Sequence, residues 1–180
     1  YKYQIINRSN QSLDSTYFGW WVDADLGDAF DDYVGCDVNL GLGFCYNGDP
    51  DDGSGTIYGY GINPPAVGID FFQGPLADPN DGVDNDRDGV VDEPGEQIIM
   101  SQFFSYGSDF SVYGNPEVAD DYYQYLTGTW LNGVRWTRDG MSGQTPPSPS
   151  TPPTNYLFPG TTDPAFPGSN WTEATANNTP

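Results

Sequence analysis

Aspartates alternate with other residues in the segment DGVDNDRDGVVDEPGE, which runs from residue 81 to residue 96. If Asp84 is position one of a cation-binding loop, Asp86 is position three, Asp88 is position five and Gly89 is position six. This alternation turns successive carboxylates toward one centre, and the glycine permits the sharp bend that such loops need. Hard oxygen ligands in a flexible loop suit Ca²⁺ better than Mg²⁺, which requires stricter geometry. The pattern therefore predicts a calcium site.

The remainder of this loop supplies further candidate ligands. Val90 at position seven would offer its backbone carbonyl, and Asp92 falls at position nine. Position twelve is Gly95 and not Glu, so Glu93 or Glu96 is the candidate for a bidentate ligand. A proline before Gly95 blocks an exiting helix, which makes a paired-helix calcium sensor a poor match. The alternative interpretation of the same residues is an acidic turn exposed to solvent.

A second acidic cluster follows the aromatic segment 16–22 and occupies a predicted loop over residues 23–37. Several carboxylates that leave the end of a strand could form a second calcium site. Their spacing is irregular, and turn-forming aspartates would give the same composition. The candidate ligands are Asp23, Asp25, Asp28, Asp32 and Asp37.

The charge composition excludes several classes of function. The chain has 26 Asp and Glu against 5 Lys and Arg, a formal charge of -21, and no histidine. Nucleic acid and anionic lipid would repel such a polyanion, so neither is an expected partner. The lack of histidine excludes Ser-His-Asp and Cys-His catalysis and His-ligated zinc. Carboxylate-dependent glycoside hydrolysis remains, but carboxylates that share a cation keep low pKa values and make poor general acids. We therefore predict that the chain is not an enzyme.

Aromatic residues make up 16% of the chain, which is enough to bury a core, whereas an acidic chain poor in aromatics would be disordered. The tryptophans support two interpretations, because they could stack on sugar rings or pack inside the protein. A carbohydrate-binding module is thus the alternative function. The tryptophans concerned are Trp20, Trp21, Trp130, Trp136 and Trp171.

The two cysteines, Cys36 and Cys45, have a spacing that fits no zinc or redox motif. They could form a disulfide outside the cell, or be two small buried apolar side chains. No apolar run reaches the length of a transmembrane helix, so we expect no membrane insertion. The sequence starts at Tyr1 and ends in a polar run at Pro180, which predicts a piece of a longer precursor.

Short strand-like segments separated by turn residues dominate the chain, which is typical of all-β domains. We predict a mainly β fold, a β-sandwich or jelly roll with long acidic loops and one short helix. Asn132-Gly133 predicts the turn of a hairpin over residues 129–137. The predicted strands are Tyr3–Asn7, Thr16–Val22, Leu42–Asn47, Ile69–Phe72 and Gln97–Tyr106, and residues 63–68 are a predicted loop.

The helix is predicted over residues 116–126, because Pro116 suits a first turn and acidic residues follow it. Its predicted buried stripe consists of Val118, Tyr122, Tyr125 and Leu126.

Three parts are predicted along the chain. Residues 1–140 form a calcium-binding, β-rich domain. Residues 141–154 are rich in Pro, Ser and Thr, which predicts an extended linker or long loop. Residues 155–180 still contain aromatic anchors, so we expect this tail to pack back onto the domain.

The segments DDYVGCD, NPPAVGIDFF and YLFPGTTDP resemble a region of large secreted proteins of Bacteroidetes, and the similarity extends over residues 17–173. Such proteins are typically exported by the type IX secretion system through a carboxy-terminal sorting domain. The acidic loop also resembles a thrombospondin type-3 repeat, in which Asp84, Asp86, Asp88 and Asp92 would be the matching ligands. The resemblance implies an extracellular or cell-surface location, with other domains of the precursor or other surface proteins as partners. The predicted function is a calcium-stabilised structural or adhesive module of a larger protein.

Overall fold

The computed structural model describes residues 1–54 and 57–176, and most of its regular elements are strands. The mainly β prediction is confirmed. The finer prediction of a β-sandwich or jelly roll is not confirmed, because the described strands form one three-stranded and one two-stranded sheet. The strands are β1 (Asp32–Asp37), β2 (Leu42–Asn47), β3 (Asp51–Asp52), β4 (Gly61–Ile62) and β5 (Ala66–Asp70), and the helices are α1 (Ala119–Leu126) and α2 (Glu173–Ala176).

The three-stranded sheet is antiparallel, in the order β1-β2-β5. Residues 38–41 connect β1 to β2, and Asp37 shapes this connection. Its Oδ1 accepts hydrogen bonds from the backbone N–H groups of Asn39 at 3.0 Å and Leu40 at 3.1 Å. An aspartate that binds the backbone in this way stabilises the turn between the two strands of the hairpin.

Both cysteines lie in this sheet, and both are buried and free. Cys36 of β1 lies opposite Gly43, whereas Cys45 of β2 lies opposite Val34. The two thiols are thus diagonal neighbours, two positions apart in the register. A disulfide needs Cβ atoms about 3.5–4.5 Å apart, which is closer than diagonal positions allow. The interpretation as small buried side chains is the one that fits.

The two-stranded sheet, β3-β4, is attached to the chain before β1 through Asp52. The Asp52 carboxylate is fully buried and accepts hydrogen bonds from the N–H groups of Asp28 at 2.8 Å and Tyr60 at 2.6 Å. Gly27 lies against it with a φ of 73°, and a Cβ atom there would be 2.0 Å from Asp52 Oδ2. A glycine is therefore required at this contact for both conformation and space.

Most of the core lies outside the strands and is aromatic. Phe104 stacks on Trp136 at 5.0 Å and on Tyr125 at 4.9 Å between ring centroids. The sheet joins this region where the Cys36 N–H donates to the Phe158 carbonyl at 3.2 Å. Isolated β-bridges and offset aromatic stacking replace extended ladders here. The aromatic core consists of Tyr125, Trp130, Trp136, Leu157, Phe158 and Trp171.

The carboxy-terminal part of the chain supplies half of the aromatic core, from residues 157, 158 and 171. The Pro, Ser and Thr segment also contacts it. The Gly143 carbonyl accepts a hydrogen bond from Trp130 Nε1 at 2.9 Å, and the Thr145 carbonyl accepts one from Thr137 Oγ1 at 2.6 Å. Residues 177–180 of the predicted tail lie outside the described residues.

The predicted helix is three residues shorter at its start, because α1 begins at Ala119. The Asp121 carboxylate accepts hydrogen bonds from the N–H groups of Glu117 at 2.9 Å and Val118 at 3.2 Å. These two bonds define the amino-terminal end of the helix. The predicted stripe is wrong for Val118 and Tyr122, which are exposed. A second helix, α2, was not predicted. Within the described residues, neither helix has the length and apolar character needed to cross a bilayer.

Several strand predictions are wrong. Residues 3–7 and 16–22 are irregular and exposed, since no neighbouring strand pairs with them, and strand propensity alone does not order a segment. Residues 97–106 form isolated bridges at Gln97 and Phe103 and no continuous ladder. Conversely, β5 begins inside the predicted loop 63–68, and β1 lies inside the predicted loop 23–37. The prediction for β2 matches its observed bounds.

Candidate metal centre

The acidic loop over residues 81–96 is folded by its own carboxylates. The N–H groups of Asp88 and Gly89 donate to Asp84 at 3.1 Å and 3.0 Å, and the Val90 N–H donates to Asp88 Oδ1 at 2.8 Å. Gly89 has a φ of 97°, which gives the bend that the sequence predicts at position six. These contacts turn the chain so that alternate aspartates face a common point.

Two groups of carboxylates result. Asp84, Asp86 and Asp88 bring one oxygen each to within 4.8 Å of one another, and Asp86, Glu93 and Glu96 do the same. Asp86 belongs to both groups. Three carboxylate oxygens at this separation repel one another unless a cation lies among them. Either group can hold a metal ion.

Glu96 is the buried residue of the two carboxylate groups, with 5% of its surface exposed. Its Oε1 accepts a hydrogen bond from the Asn85 N–H. Its Oε2 is buried without a hydrogen-bond partner, as is Glu93 Oε2. A buried carboxylate oxygen without a donor costs free energy that a bound cation recovers. The donor set is therefore suited to a hard cation that prefers oxygen.

The charges of the second group also affect Glu93. A backbone hydrogen bond lowers the pKa of Glu93, but burial and the charges of Glu96, Asp86 and Asp88 outweigh it and raise the pKa above its ordinary value. Mutual repulsion is the physical cause of the last three contributions. A cation at this point would reverse them, because it stabilises the ionised forms.

Two other predicted ligands have different surroundings. Asp92 accepts hydrogen bonds from the N–H groups of Asp81 at 2.9 Å and Gly82 at 3.2 Å, so its carboxylate closes the start of the loop. It belongs to neither carboxylate group. Val90 has a half-exposed side chain, and its carbonyl as a ligand stays a prediction.

The loop is attached to the core by residues that the sequence analysis did not single out. The Arg87 guanidinium donates hydrogen bonds to the Met100 carbonyl at 2.6 Å and to the Tyr156 hydroxyl. The Ile99 N–H donates to the Asn85 carbonyl at 3.4 Å. The available signal was a positive residue in the middle of an acidic loop, in a chain that has 5 Lys and Arg in all.

The predicted second cluster is more dispersed. Asp23 and Asp25 are exposed, and Asp37 caps the turn between β1 and β2. Asp32 Oδ2 accepts a hydrogen bond from the Leu26 N–H at 2.8 Å. Within residues 1–54 and 57–176, no three of the predicted ligands, Asp28 included, bring oxygens within 4.8 Å of one another. A site formed by these five residues stays a prediction.

Two cavities lie outside the two carboxylate groups, and Arg87 of the acidic loop contributes to the lining of the first. One, of about 210 Å³, is beside Tyr156, and the other, of about 550 Å³, is beside Trp171. Each has one carboxylate in its lining, Asp163 in the first and Asp139 in the second. The chain matches no protein-family model, no curated protein and no solved structure.

Proposed function

We propose that the chain is a calcium-stabilised structural module of an extracellular protein, in which the ion holds the loop of residues 81–96 against the core. The observation that supports this most directly is Glu96, whose Oε2 is buried without a partner beside Asp86 and Glu93. A solvated acidic turn would expose these oxygens to water. Their burial is expected if a cation is the missing partner.

Calcium is the proposed ion, because the ligands are all oxygens on a flexible loop. Mg²⁺ requires near-ideal octahedral geometry and retains several waters, whereas Ca²⁺ accepts six to eight oxygens in variable arrangements. The carboxylates of two groups with Asp86 in common offer such a set. Extracellular calcium modules bind with dissociation constants of about 10⁻⁴–10⁻³ M, which suits a loop that is partly exposed.

The proposed role is structural because the loop is attached to rigid parts of the molecule. Arg87 links it to Met100 and Tyr156, and in the described part of the chain no helix pair flanks the loop that could open and close. An ion that binds only the folded state adds its binding free energy to the stability of that state. It also relieves self-repulsion in a chain with a formal charge of -21.

The extracellular location is part of the proposal and is supported by the acidic composition and by the resemblance to secreted Bacteroidetes proteins. Partners would be other domains of the same precursor or other surface proteins. We also propose that the module has no catalytic activity. Glycoside hydrolysis requires two carboxylates that face each other across a cleft, and each of the two cavities has one.

Thermal unfolding of metal-stripped and calcium-loaded protein tests the proposal. At calcium concentrations of about one hundred times Kd, binding contributes about 2.7 kcal/mol, which raises Tm by roughly 5–10 °C. Glu96→Gln should remove most of this gain. Asp78→Asn is the control, because it removes one charge from an exposed position three residues before the loop. Equal Tm values for stripped and loaded wild-type protein would refute the proposal.

Carbohydrate binding is the second candidate, and it is favoured by the exposed aromatic residues before β1. Trp20 and Trp21 are 48% and 68% exposed, whereas Trp130, Trp136 and Trp171 lie in the aromatic core. The candidate therefore depends on two of the five tryptophans. A glycan array separates the functions, since a purely structural module gives no signal. Any signal that Trp21→Ala abolishes would favour the glycan-binding function.

A further inference from the structure

Three buried oxygens without hydrogen-bond partners lie where β1 begins and β2 ends. They are Asp31 Oδ1, Asp32 Oδ1 and Asn47 Oδ1. Asn47 lies directly opposite Asp32 in the β1-β2 ladder. Opposite side chains share one face of a sheet, with Cβ atoms about 4.5–5.5 Å apart. The Asn47 amide N–H also donates to the Asp31 carboxyl, so the three side chains meet. We call this group the hairpin-end cluster.

The other polar atoms of the Asn47 and Asp32 side chains already have hydrogen-bond partners. Asn47 Nδ2 donates to the Asp49 carbonyl at 2.9 Å, and Asp32 Oδ2 accepts from the Leu26 N–H at 2.8 Å. Turning the Asn47 amide over would break its bond to Asp49, because the oxygen cannot donate. Asn47 is 9% exposed and lies opposite Asp32, so its oxygen is held inside the protein at this end of the sheet.

The surroundings of the hairpin-end cluster add negative charge. Burial raises the pKa of Asp31, and the charges of Asp52 and Asp28 raise it further. Burial likewise raises the pKa of Asp32, and its neighbours Asp31 and Asp52 contribute. Among the described residues, neither Lys nor Arg forms an ion pair with these carboxylates. The three oxygens of the cluster are therefore buried acceptors without hydrogen-bond donors, and no ion pair supplies a counter-charge among the described residues.

We infer that the hairpin-end cluster is a second cation site, in which Asp31, Asp32 and Asn47 offer side-chain oxygens to Ca²⁺. Two carboxylates and an amide are the hard oxygen ligands that Ca²⁺ takes in proteins, and nearby backbone carbonyls and water can complete the coordination. A single shared proton would satisfy one pair of oxygens and leave the third without a partner. The spacing of the aspartates in the sequence does not indicate the Asn47 amide oxygen as a ligand.

This site uses part of the acidic loop 23–37 predicted from the sequence, where Asp32 was a candidate ligand, and it adds the Asn47 amide. It would join the chain before β1 to the end of the hairpin, next to the turn that Asp52 holds. It is also independent of the loop of residues 81–96. The protein would then hold one ion at the end of the β1-β2 hairpin in addition to the ion proposed in the loop.

Ion counting on the full chain tests the inference, with native mass spectrometry and calorimetric titration of Ca²⁺. The variants are Asp31→Asn and Asn47→Leu, each made in the wild type and in an Asp84→Asn/Asp86→Asn parent that lacks the loop site. Asp49→Asn is the control, because its side chain is exposed and lies two residues from Asn47. Near-ultraviolet circular dichroism of the aromatic core verifies folding, and Asp31→Asn decides the result if Asn47→Leu does not fold.

We expect Asp31→Asn and Asn47→Leu to lose one bound ion from either parent, and Asp49→Asn to lose none. The inference is overturned if the Asp84→Asn/Asp86→Asn parent binds no ion at millimolar calcium while it remains folded. It is also overturned if Asp31→Asn leaves the count unchanged. Failure of the loop site has a different signature, in which Asp84→Asn/Asp86→Asn removes no ion and Asp31→Asn removes one.

Discussion

The Arg87 guanidinium donates a hydrogen bond to the Tyr156 hydroxyl and lies 5.7 Å from the centre of its ring. The same hydroxyl donates to the Met100 carbonyl at 3.0 Å. Burial raises the pKa of Tyr156 to about 12, and the positive charge of Arg87 opposes this shift. Because Arg87 stands between Asp86 and Asp88, the candidate metal centre and the buried Tyr156 are joined through one side chain.

This contact predicts coupling between Arg87 and Tyr156. Tyr156→Phe removes a buried hydroxyl and should cost about 0.5–1.5 kcal/mol of unfolding free energy. In an Arg87→Met background the same change should cost less, and the difference is an interaction energy of at least about 0.5 kcal/mol. Urea unfolding of the four proteins measures it, and Arg8→Met, at an exposed position, is the control. Strict additivity of the two substitutions would contradict the contact.

Asp86 should contribute more to calcium affinity than Asp88, because it belongs to both carboxylate groups. We expect Asp86→Asn to weaken calcium binding at least about tenfold, or about 1.4 kcal/mol. Asp88→Asn should have a smaller effect, since Asp88 is exposed and belongs to one group. Calorimetric titration compares the two isosteric changes, and equal losses would show that Asp86 does not serve both groups.

Gly27→Ala should destabilise the protein by more than its backbone conformation alone explains. Gly27 and Gly133 have φ values of 73° and 77°, so alanine is strained at both. A Cβ atom at Gly27 would meet Asp52 at 2.0 Å, whereas Gly133 has nothing within 4 Å. We expect Gly133→Ala to cost about 1–2 kcal/mol and Gly27→Ala to cost clearly more. Similar unfolding free energies for the two variants would argue against the Asp52 contact.

The Cys45 thiol should make stability depend on pH in alkaline solution. Burial, with the charges of Asp32, Glu173 and Asp25, raises its pKa from 9.0 to about 11. Between these values the unfolded chain releases the proton and the folded chain keeps it. Stability from this group is therefore complete below pH 9 and is lost as the pH rises toward 11. Other groups titrate in the same range, so the test compares wild type with Cys45→Ala. The difference between their free energies of unfolding should decrease as the pH rises from 9 toward 11.

The sequence predicted the fold best where local chemistry decides the structure. β2 is correct over its full length, and Asn132-Gly133 lies at the expected turn. The segments 3–7 and 16–22 were also predicted as strands, but they have no neighbouring strand. Pairing partners cannot be read from composition. Residues 63–68 were predicted as a loop in which Pro64 and Pro65 favour an extended backbone, and an extended backbone also suits the start of β5.

The candidate metal centre was predictable in part. The alternation of Asp84, Asp86 and Asp88 is local, and the structure brings these three together. The burial of Glu96 depends on how residues 97–100 pack, and the Arg87 contact depends on a tyrosine 69 positions along the chain. The Asn47 oxygen becomes a candidate ligand only when the register of β1 and β2 is known.

The pairing of Phe103 with Tyr156, and the place of Trp171 beside Phe158, also constrain the order of folding. The contact between Phe103 and Tyr156 joins residues 53 positions apart in the chain, so it must wait for loop closure, which makes folding slow. A nascent chain would therefore expose its aromatic residues until residue 171 has been synthesised. During that interval the repulsion among its many negative charges is what keeps one unfolded copy from associating with the next.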